Sequence, residues 1–342
     1  MVHIGIVGLG FMGMTHFRGI RSVRGGKVAA LCSRDPAKLR GDWRGIRGNF
    51  GEPGGVEDLS DVRTYERIAD ILADPAIDLI DICLPTSLHC DVALQALRAG
   101  KHVLVEKPIS LDLREADRMV RKAAEAGRRL MVAHVLPFVP EYAYLIKVVG
   151  NGAHGALLGA HFRRTLSLSS PTALQRNLAQ RGGPGIDLHI HDTHYVHLLC
   201  GMPDTVCSSG HLVEERYAQY LSTLYRFQDR PDLSVTCVSG AVAQPGRGFT
   251  HGFEAYLEKA TVAYDSASTP LSVFPADGTV RRPRLGRGDP VVAFTREIQA
   301  AVDAVSRGTE VAELSGERAA DALRLCLKEI ESVRRRRAAP IR

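Results

Sequence analysis

Three glycines near the head of the chain, in the run Val2-His3-Ile4-Gly5-Ile6-Val7-Gly8-Leu9-Gly10-Phe11-Met12-Gly13, carry the spacing that grips a dinucleotide pyrophosphate. Gly8 permits a tight turn, Gly10 admits a phosphate close to backbone with no Cβ in the way, and Gly13 lets the next helix pack near the strand. The start of that helix then faces the anion with free N–H groups and a partial positive charge. Phe11 and Met12, inside the turn, are expected to share in cofactor binding. About twenty residues further on, an acidic residue would bind the ribose 2′-hydroxyl of NAD, whereas an arginine would receive the 2′-phosphate of NADP. The chain there reads Leu31-Cys32-Ser33-Arg34-Asp35, which favours NADP over NAD through Ser33 and Arg34. Asp35-Pro36 also reads as a helix start, with Arg34 as plain surface.

Glycines gather in ordinary turns too, so the pattern gains force only from the elements around it. An apolar strand precedes it, Met14 to Val23 has helical character, and Lys27 to Cys32 is a second strand. Strands and helices go on alternating to about residue 134. Pro36 starts a short helix that gives way to a Gly-rich surface excursion over 41–61, and Tyr65 to Leu72 reads as a helix. Ile77 to Cys83 is a strand, and Thr86 is placed to cap a helix that ends at Gly100. His102 to Glu106 is a strand, Asp112 with Glu115 forms a capping box for a helix stopped by Gly127, and Leu130 to Ala133 is a strand. This alternation predicts an α/β Rossmann domain over 1–134, with a parallel sheet and ligands at the C-terminal strand ends.

After residue 135 the rhythm changes. Ala156 to Ser167 is a strand and Gly185 to Cys200 a helix. Strands then follow one another over 205–212, 220–227, 233–239, 253–258 and 261–265. Consecutive strands without helices between them imply an open, mainly antiparallel sheet in an α+β domain over 135–342. Two closing helices carry apolar stripes, Phe294, Ile298, Ala301, Val302 and Val305 on one and Leu323, Leu327 and Ile330 on the other, and are expected to pack back.

The length of 342 residues suggests two domains, and 45% hydrophobic with 24% charged residues is ordinary globular composition. No stretch has the apolar length of a membrane span, and the first strand starts at residue 2, so a cytoplasmic protein is expected. Seven scattered cysteines without CxxC spacing read as buried reduced thiols. The net charge of +6 owes much to Arg334-Arg335-Arg336-Arg337, read as a solvated helix end; with 6% aromatics, nucleic acid is not an expected partner.

The glycine turn, Val105-Glu106-Lys107-Pro108, and Gly182-Gly183-Pro184-Gly185-Ile186-Asp187-Leu188-His189-Ile190-His191-Asp192 together resemble the Gfo/Idh/MocA family of sugar and cyclitol dehydrogenases. The resemblance covers nearly the whole chain, in order. It implies hydride transfer between NAD or NADP and a hydroxyl or keto carbon of a sugar, sugar derivative or cyclitol. It implies a homodimer or homotetramer joined through the second domain's sheet. Lys107, Asp187 and His191 are the catalytic positions it implies, with a cis Lys107-Pro108 bond. Further cofactor contacts are expected from Pro85, Thr86, His89, Glu106 and Lys107.

The chemistry calls for such groups. Removing hydride from a carbinol carbon requires that the hydroxyl proton also leave, so a base must reach that oxygen. His191 titrates in the right range, and Asp187, four residues earlier, shares its face if the segment is helical. Lys107 would hydrogen-bond the reacting oxygen and stabilise its developing charge. Arg176, with Gln175 and Asn177 in a loop over 169–182, is expected to border the substrate. The plainer readings are a solvated strand-end Lys107, a capping Asp187 and a core His191. The dense His189, His191, His194 and His197 around Asp192 keep a metal site in contention, although no metal is expected. The same architecture would also serve an NAD-retaining glycoside hydrolase or lyase, or a non-catalytic nucleotide-sensing protein. In His134-Val135-Leu136-Pro137-Phe138, proline stands where relatives often carry arginine, which weakens any transfer of substrate contacts from that segment.

Overall fold

A computed structural model describes residues 1–48, 50–168, 170–285 and 290–341. The chain forms two units, Met1–Phe138 with Gly288–Ala320, and Val139–Arg287 with Asp321–Arg342. The first begins with β1 (Val2–Val7), α1 (Phe11–Ile20), β2 (Gly26–Cys32), α2 (Pro36–Leu39), β3 (Arg63–Tyr65) and α3 (Ile68–Ala73). It continues through β4 (Leu79–Ile82), α4 (His89–Arg98), β5 (His102–Glu106), α5 (Leu113–Ala126) and β6 (Leu130–Ala133). Its six strands lie in the order β3-β2-β1-β4-β5-β6, every pair parallel. The order reverses at β1, where such sheets open a crevice for ligands beyond the strand ends. Strands buried on both faces explain the near-continuous apolar runs: every residue of β4 and β6 is buried.

Several local expectations are revised. Residues 63–65 pair with β2, so the expected helix over 65–72 is a strand followed by the shorter α3. Thr86 opens a 3-10 turn, Thr86–Leu88, and α4 starts without a side-chain cap. Asp112 does cap α5, accepting from Arg114 N–H at 2.7 Å. Glu115 accepts instead from Ser110 Oγ at 2.5 Å, and Ser110 Oγ takes the Asp112 N–H, so the box closes through a serine. The Gly-rich excursion over 41–61 turns inward: Trp43 is 0% exposed, stacks edge-on against Phe17 and donates from Nε1 to Lys38 O at 2.8 Å. Burying the indole outweighs the lack of regular structure around it.

The second unit holds α6 (Pro140–Gly150), β7 (Leu157–Thr165), α7 (Pro171–Arg181), α8 (Pro184–Asp187) and α9 (Ile190–Cys200). Strands β8 (Thr205–Val213), β9 (Tyr217–Arg226), β10 (Ser234–Gly240), β11 (Thr250–Leu257), β12 (Ala260–Asp265) and β13 (Thr269–Pro275) follow. Then come α10 (Pro290–Arg307), α11 (Gly316–Arg335) and β14 (Ala339–Pro340). The eight strands run β13-β12-β11-β7-β10-β9-β8-β14, antiparallel except for β7 with β10. That one parallel pair makes the sheet mixed. Helix α10 completes the first unit's core, where Ile298, Ala301 and Val302 join Ile4, Phe17 and Trp43. The cysteines are free, with Cys207 exposed rather than buried, and the arginines that end α11 are solvent-exposed. Among the described residues no helix is long and apolar enough to cross a membrane.

Candidate active site

The glycine turn has the geometry its spacing predicts. Gly8 sits at φ 102°, where a Cβ would lie 2.6 Å from the Cys83 carbonyl oxygen. A Cβ on Gly13 would come 2.0 Å from Gly8 O, the close approach that seats α1 on the turn. Gly10, the N-cap of α1, would place a Cβ within 4 Å of nothing, and no side chain caps the helix start. An uncapped helix N-terminus beside an open glycine is what a pyrophosphate requires, so the residues fit a dinucleotide. Met12 is half-buried, and Phe11 packs edge-on against Phe50 at 4.6 Å.

Beyond β2, Arg34 is exposed and Ser33 Oγ accepts the Asp35 N–H at 3.1 Å. Asp35 in turn caps α2 through the Ala37 N–H. The reading of Asp35-Pro36 as a helix start with Arg34 at the surface is the one this geometry shows. Lys38, which the sequence does not single out, donates from Nζ to Leu9 O at 2.8 Å and brings an ammonium to the glycine turn. Its signal lies in the short α2 geometry, not in any linear spacing.

At the neighbouring strand ends, Pro85 precedes the 3-10 turn and Thr86 is buried. His89 is 1% exposed, with its ring nitrogens 2.9 Å from the Pro108 and Leu84 carbonyl oxygens; burial pushes its pKa below the ordinary value. It thereby braces the turn that carries Lys107. The Lys107-Pro108 bond is cis. One Glu106 oxygen accepts the Lys107 backbone N–H at 3.1 Å, and the other lies 3.3 Å from His16 Nε2. Lys107 is half-buried at the end of β5.

In the second unit, the expected single helix over 185–200 is two. His189 N–H reaches back to Pro184 O, and the ladder restarts with Asp192 and Thr193 on His189 O, so α8 ends at Asp187 and α9 begins at Ile190. The expected loop over 169–182 is helix α7, with Ser169 outside the described residues. Gln175 and Arg176 are exposed on it. Asn177 Nδ2 donates to Asp187 at 2.8 Å, and Arg181 Nη1 lies 3.5 Å from the same oxygen. Asn177 is among the residues the sequence points to; Arg181 is not, because its role needs the α7 turn to be seen.

His191 is half-buried in the first turn of α9, a turn held at two flanking points. His189 Nε2 lies 2.7 Å from Glu329, and Ser239 Oγ is 2.8 Å from His189 Nδ1. Asp192 receives two bonds from Arg164, at 2.7 and 3.0 Å, all within the core. Such a bidentate pair fixes orientation as well as charge. His197 Nε2 is 3.5 Å from Asp321. Among the described residues the one grouping of potential metal donors close together is elsewhere, His16, Asp81 and Cys83, and two of these already share a 2.9 Å hydrogen bond.

The fold and the glycine turn define a Rossmann-type, dinucleotide-binding oxidoreductase architecture, and comparison with known proteins agrees. Residues 2–134 match the family model described as oxidoreductase family, NAD-binding Rossmann fold. That model is the Gfo/Idh/MocA one, and its match spans 133 of the 342 residues, all within the first unit. It is 25% identical over 348 residues to an inositol 2-dehydrogenase of Rhizobium meliloti (strain 1021), covering 98% of each. An uncharacterized oxidoreductase, ORF334 of Rhizobium meliloti, is 29% identical over 192 residues, a match that spans 56% of the chain and 54% of the relative's length. The fold superposes on that of a levoglucosan dehydrogenase solved in complex with NADH, with a TM-score of 0.83, 19% identity and coverage of 100% of this chain and 99% of that one.

Proposed function

We propose that this protein is a cytoplasmic dehydrogenase or reductase that interconverts a hydroxyl and a keto carbon on a cyclitol, sugar or sugar derivative. The observation that carries the reading is in the first unit. The glycine turn after β1 and the braced Lys107 turn after β5 stand at the same edge of one parallel sheet, two strand spacings or roughly 10 Å apart. The inositol 2-dehydrogenase relative supports the substrate class.

Gly8, Gly10 and Gly13 with the start of α1 would hold the pyrophosphate. Ser33, Arg34 and Lys38 would meet the adenosine ribose, and the lack of an acidic residue at 33 together with two cations supports NADP over NAD. When bound, the nicotinamide supplies or accepts the hydride. Lys107 hydrogen-bonds the reacting oxygen and steadies negative charge developing on it. His191 takes the hydroxyl proton in oxidation and returns it in reduction. Asp187, oriented by Asn177 and Arg181, holds a neighbouring hydroxyl or the imidazole.

Two variants test this with a panel of inositols and sugars. Lys107→Met and His191→Ala should each lower kcat/KM by about 10²–10⁴ while NADP or NAD still binds. Wild-type turnover in both removes the assignment. Release of sugar with no net change in nicotinamide absorbance replaces it with the glycoside-cleaving reading.

A further inference from the structure

His16, a histidine outside the expected site, lies under both the nucleotide turn and the lysine turn. It sits on α1 three residues past Gly13 and is 0% exposed. Its Nδ1 is 2.9 Å from the Asp81 carboxylate on β4, and its Nε2 is 3.3 Å from the Glu106 carboxylate at the end of β5. The second Glu106 oxygen accepts the Lys107 backbone N–H at 3.1 Å. One hydrogen bond, from the Lys107 N–H to Glu106, and one 3.3 Å ion-pair contact, from Glu106 to His16, therefore lead from the backbone of Lys107 to the helix that would receive the phosphates.

We propose that His16 is a positioning residue which, held between Asp81 and Glu106, ties the Lys107 turn to the dinucleotide-binding helix α1. The proposal rests on the reading of Lys107 as the group that touches the substrate oxygen.

Two carboxylates cannot be buried cheaply without a partner; the imidazole hydrogen-bonds Asp81 through Nδ1, while Nε2 stands at ion-pair distance from Glu106 without completing a hydrogen bond. Burial, the largest single influence, would lower the His16 pKa, but Asp81 and Cys83 together outweigh it and hold the ring well above its ordinary value. Cys83 Sγ lies 3.6 Å from both His16 Nδ1 and Asp81 Oδ1, and burial pushes its pKa far up, so it stays a neutral thiol. A third acid, Glu297 on α10, is 0% exposed, and neither of its oxygens has a hydrogen-bond partner among the described residues. Burial raises its pKa well above the carboxylate range; Glu106 and Asp81 add to the rise against the opposing His16 charge. Glu297 therefore stays protonated and does not compete for the His16 charge.

The link has a mechanical consequence. Gly13 packs directly on the Gly8 carbonyl, so seating a phosphate at the helix start constrains the same turn of α1 that carries His16. Through Glu106 the constraint reaches Lys107.

Amide hydrogen exchange at Lys107, resolved by mass spectrometry with and without NADP, tests the link without relying on turnover. Pro108 has no amide, which isolates the Lys107 signal. NADP should slow this exchange in the wild type. In His16→Gln it should run at least about tenfold faster and no longer respond to NADP, while the NADP Kd stays within about threefold. Turnover should fall about 10- to 100-fold with little change in substrate KM, and adding Glu106→Gln should cost no further factor, because both changes cut one chain. Unchanged Lys107 exchange in folded His16→Gln, or losses that multiply in the double variant, would overturn the proposal. If His16→Gln does not fold, Glu106→Gln alone must quicken Lys107 exchange at least about threefold, or the proposal fails. A wild-type protein inactive on every polyol would defeat the reading of Lys107 instead, and the exchange result would still decide the link.

Discussion

Glu297 shows what burial does to a single side chain. A carboxyl group that must stay protonated in the folded protein but ionises freely when unfolded lowers stability as pH rises above its ordinary value of 4.5. The sign follows from proton counts: above 4.5 the unfolded chain sheds this proton and the folded one retains it. Glu297→Gln, which keeps the shape and removes the titration, should therefore raise Tm at pH 7–8 by about 2–4 °C, with the gain shrinking as pH falls toward 4.5. Calorimetry across that range checks it, and a gain that is the same at every pH would mean that Glu297 does not titrate. His89 makes the complementary point. Burial lowers its pKa, and its two ring nitrogens lie 2.9 Å from the carbonyl oxygens of Leu84 and Pro108.

Among the elements, one indole organises a segment that has almost no regular structure. Trp43 links the 41–61 excursion to Phe17 of α1 and to the end of α2, and Ile46 joins it in the core. Trp43→Ala should cost about 3–5 kcal/mol, read as a lower denaturant midpoint, because the cavity left under the excursion has no regular structure to collapse into it. A change within about 0.5 kcal/mol, the ordinary range for surface residues, would mean that the excursion is not part of the core. In the second unit, the break between α8 and α9 lets Asp187 end one helix while His191 starts the next. Arg164, Glu329 and Ser239 then fix the turn between and after them.

For the molecule as a whole, the eight-stranded sheet has two unlike faces. Tyr225 and Ser239 face α9 and the residue before it, their hydroxyls meeting Thr193 and His189, and the Ser208 backbone N–H donates to Ser332 Oγ of α11. On the alternate positions Leu224, Thr236 and Val238 are half-exposed. We propose that this second face joins copies of the chain into a dimer or tetramer. Val238→Arg, in the middle of the face opposite Ser222 and Arg163, should then shift the native mass to that of a monomer while leaving secondary structure unchanged. A wild-type monomer at micromolar concentration would dismiss the proposal.

The break that puts Asp187 and His191 on separate helices was not legible in the linear chain, whereas the glycine turn, the parallel alternation of the first 134 residues and the Lys107-Pro108 turn were. They depend on residues near one another, where glycine tolerance, apolar period and short motifs act locally. Folding was needed to make Trp43 core, to turn residues 63–65 into a strand, to bring α10 into the first unit, and to join Asp81 to Glu106 through His16. Each of these is a pairing between residues far apart in sequence, and whether a buried charge or ring finds its partner is settled only when distant strands and helices come together.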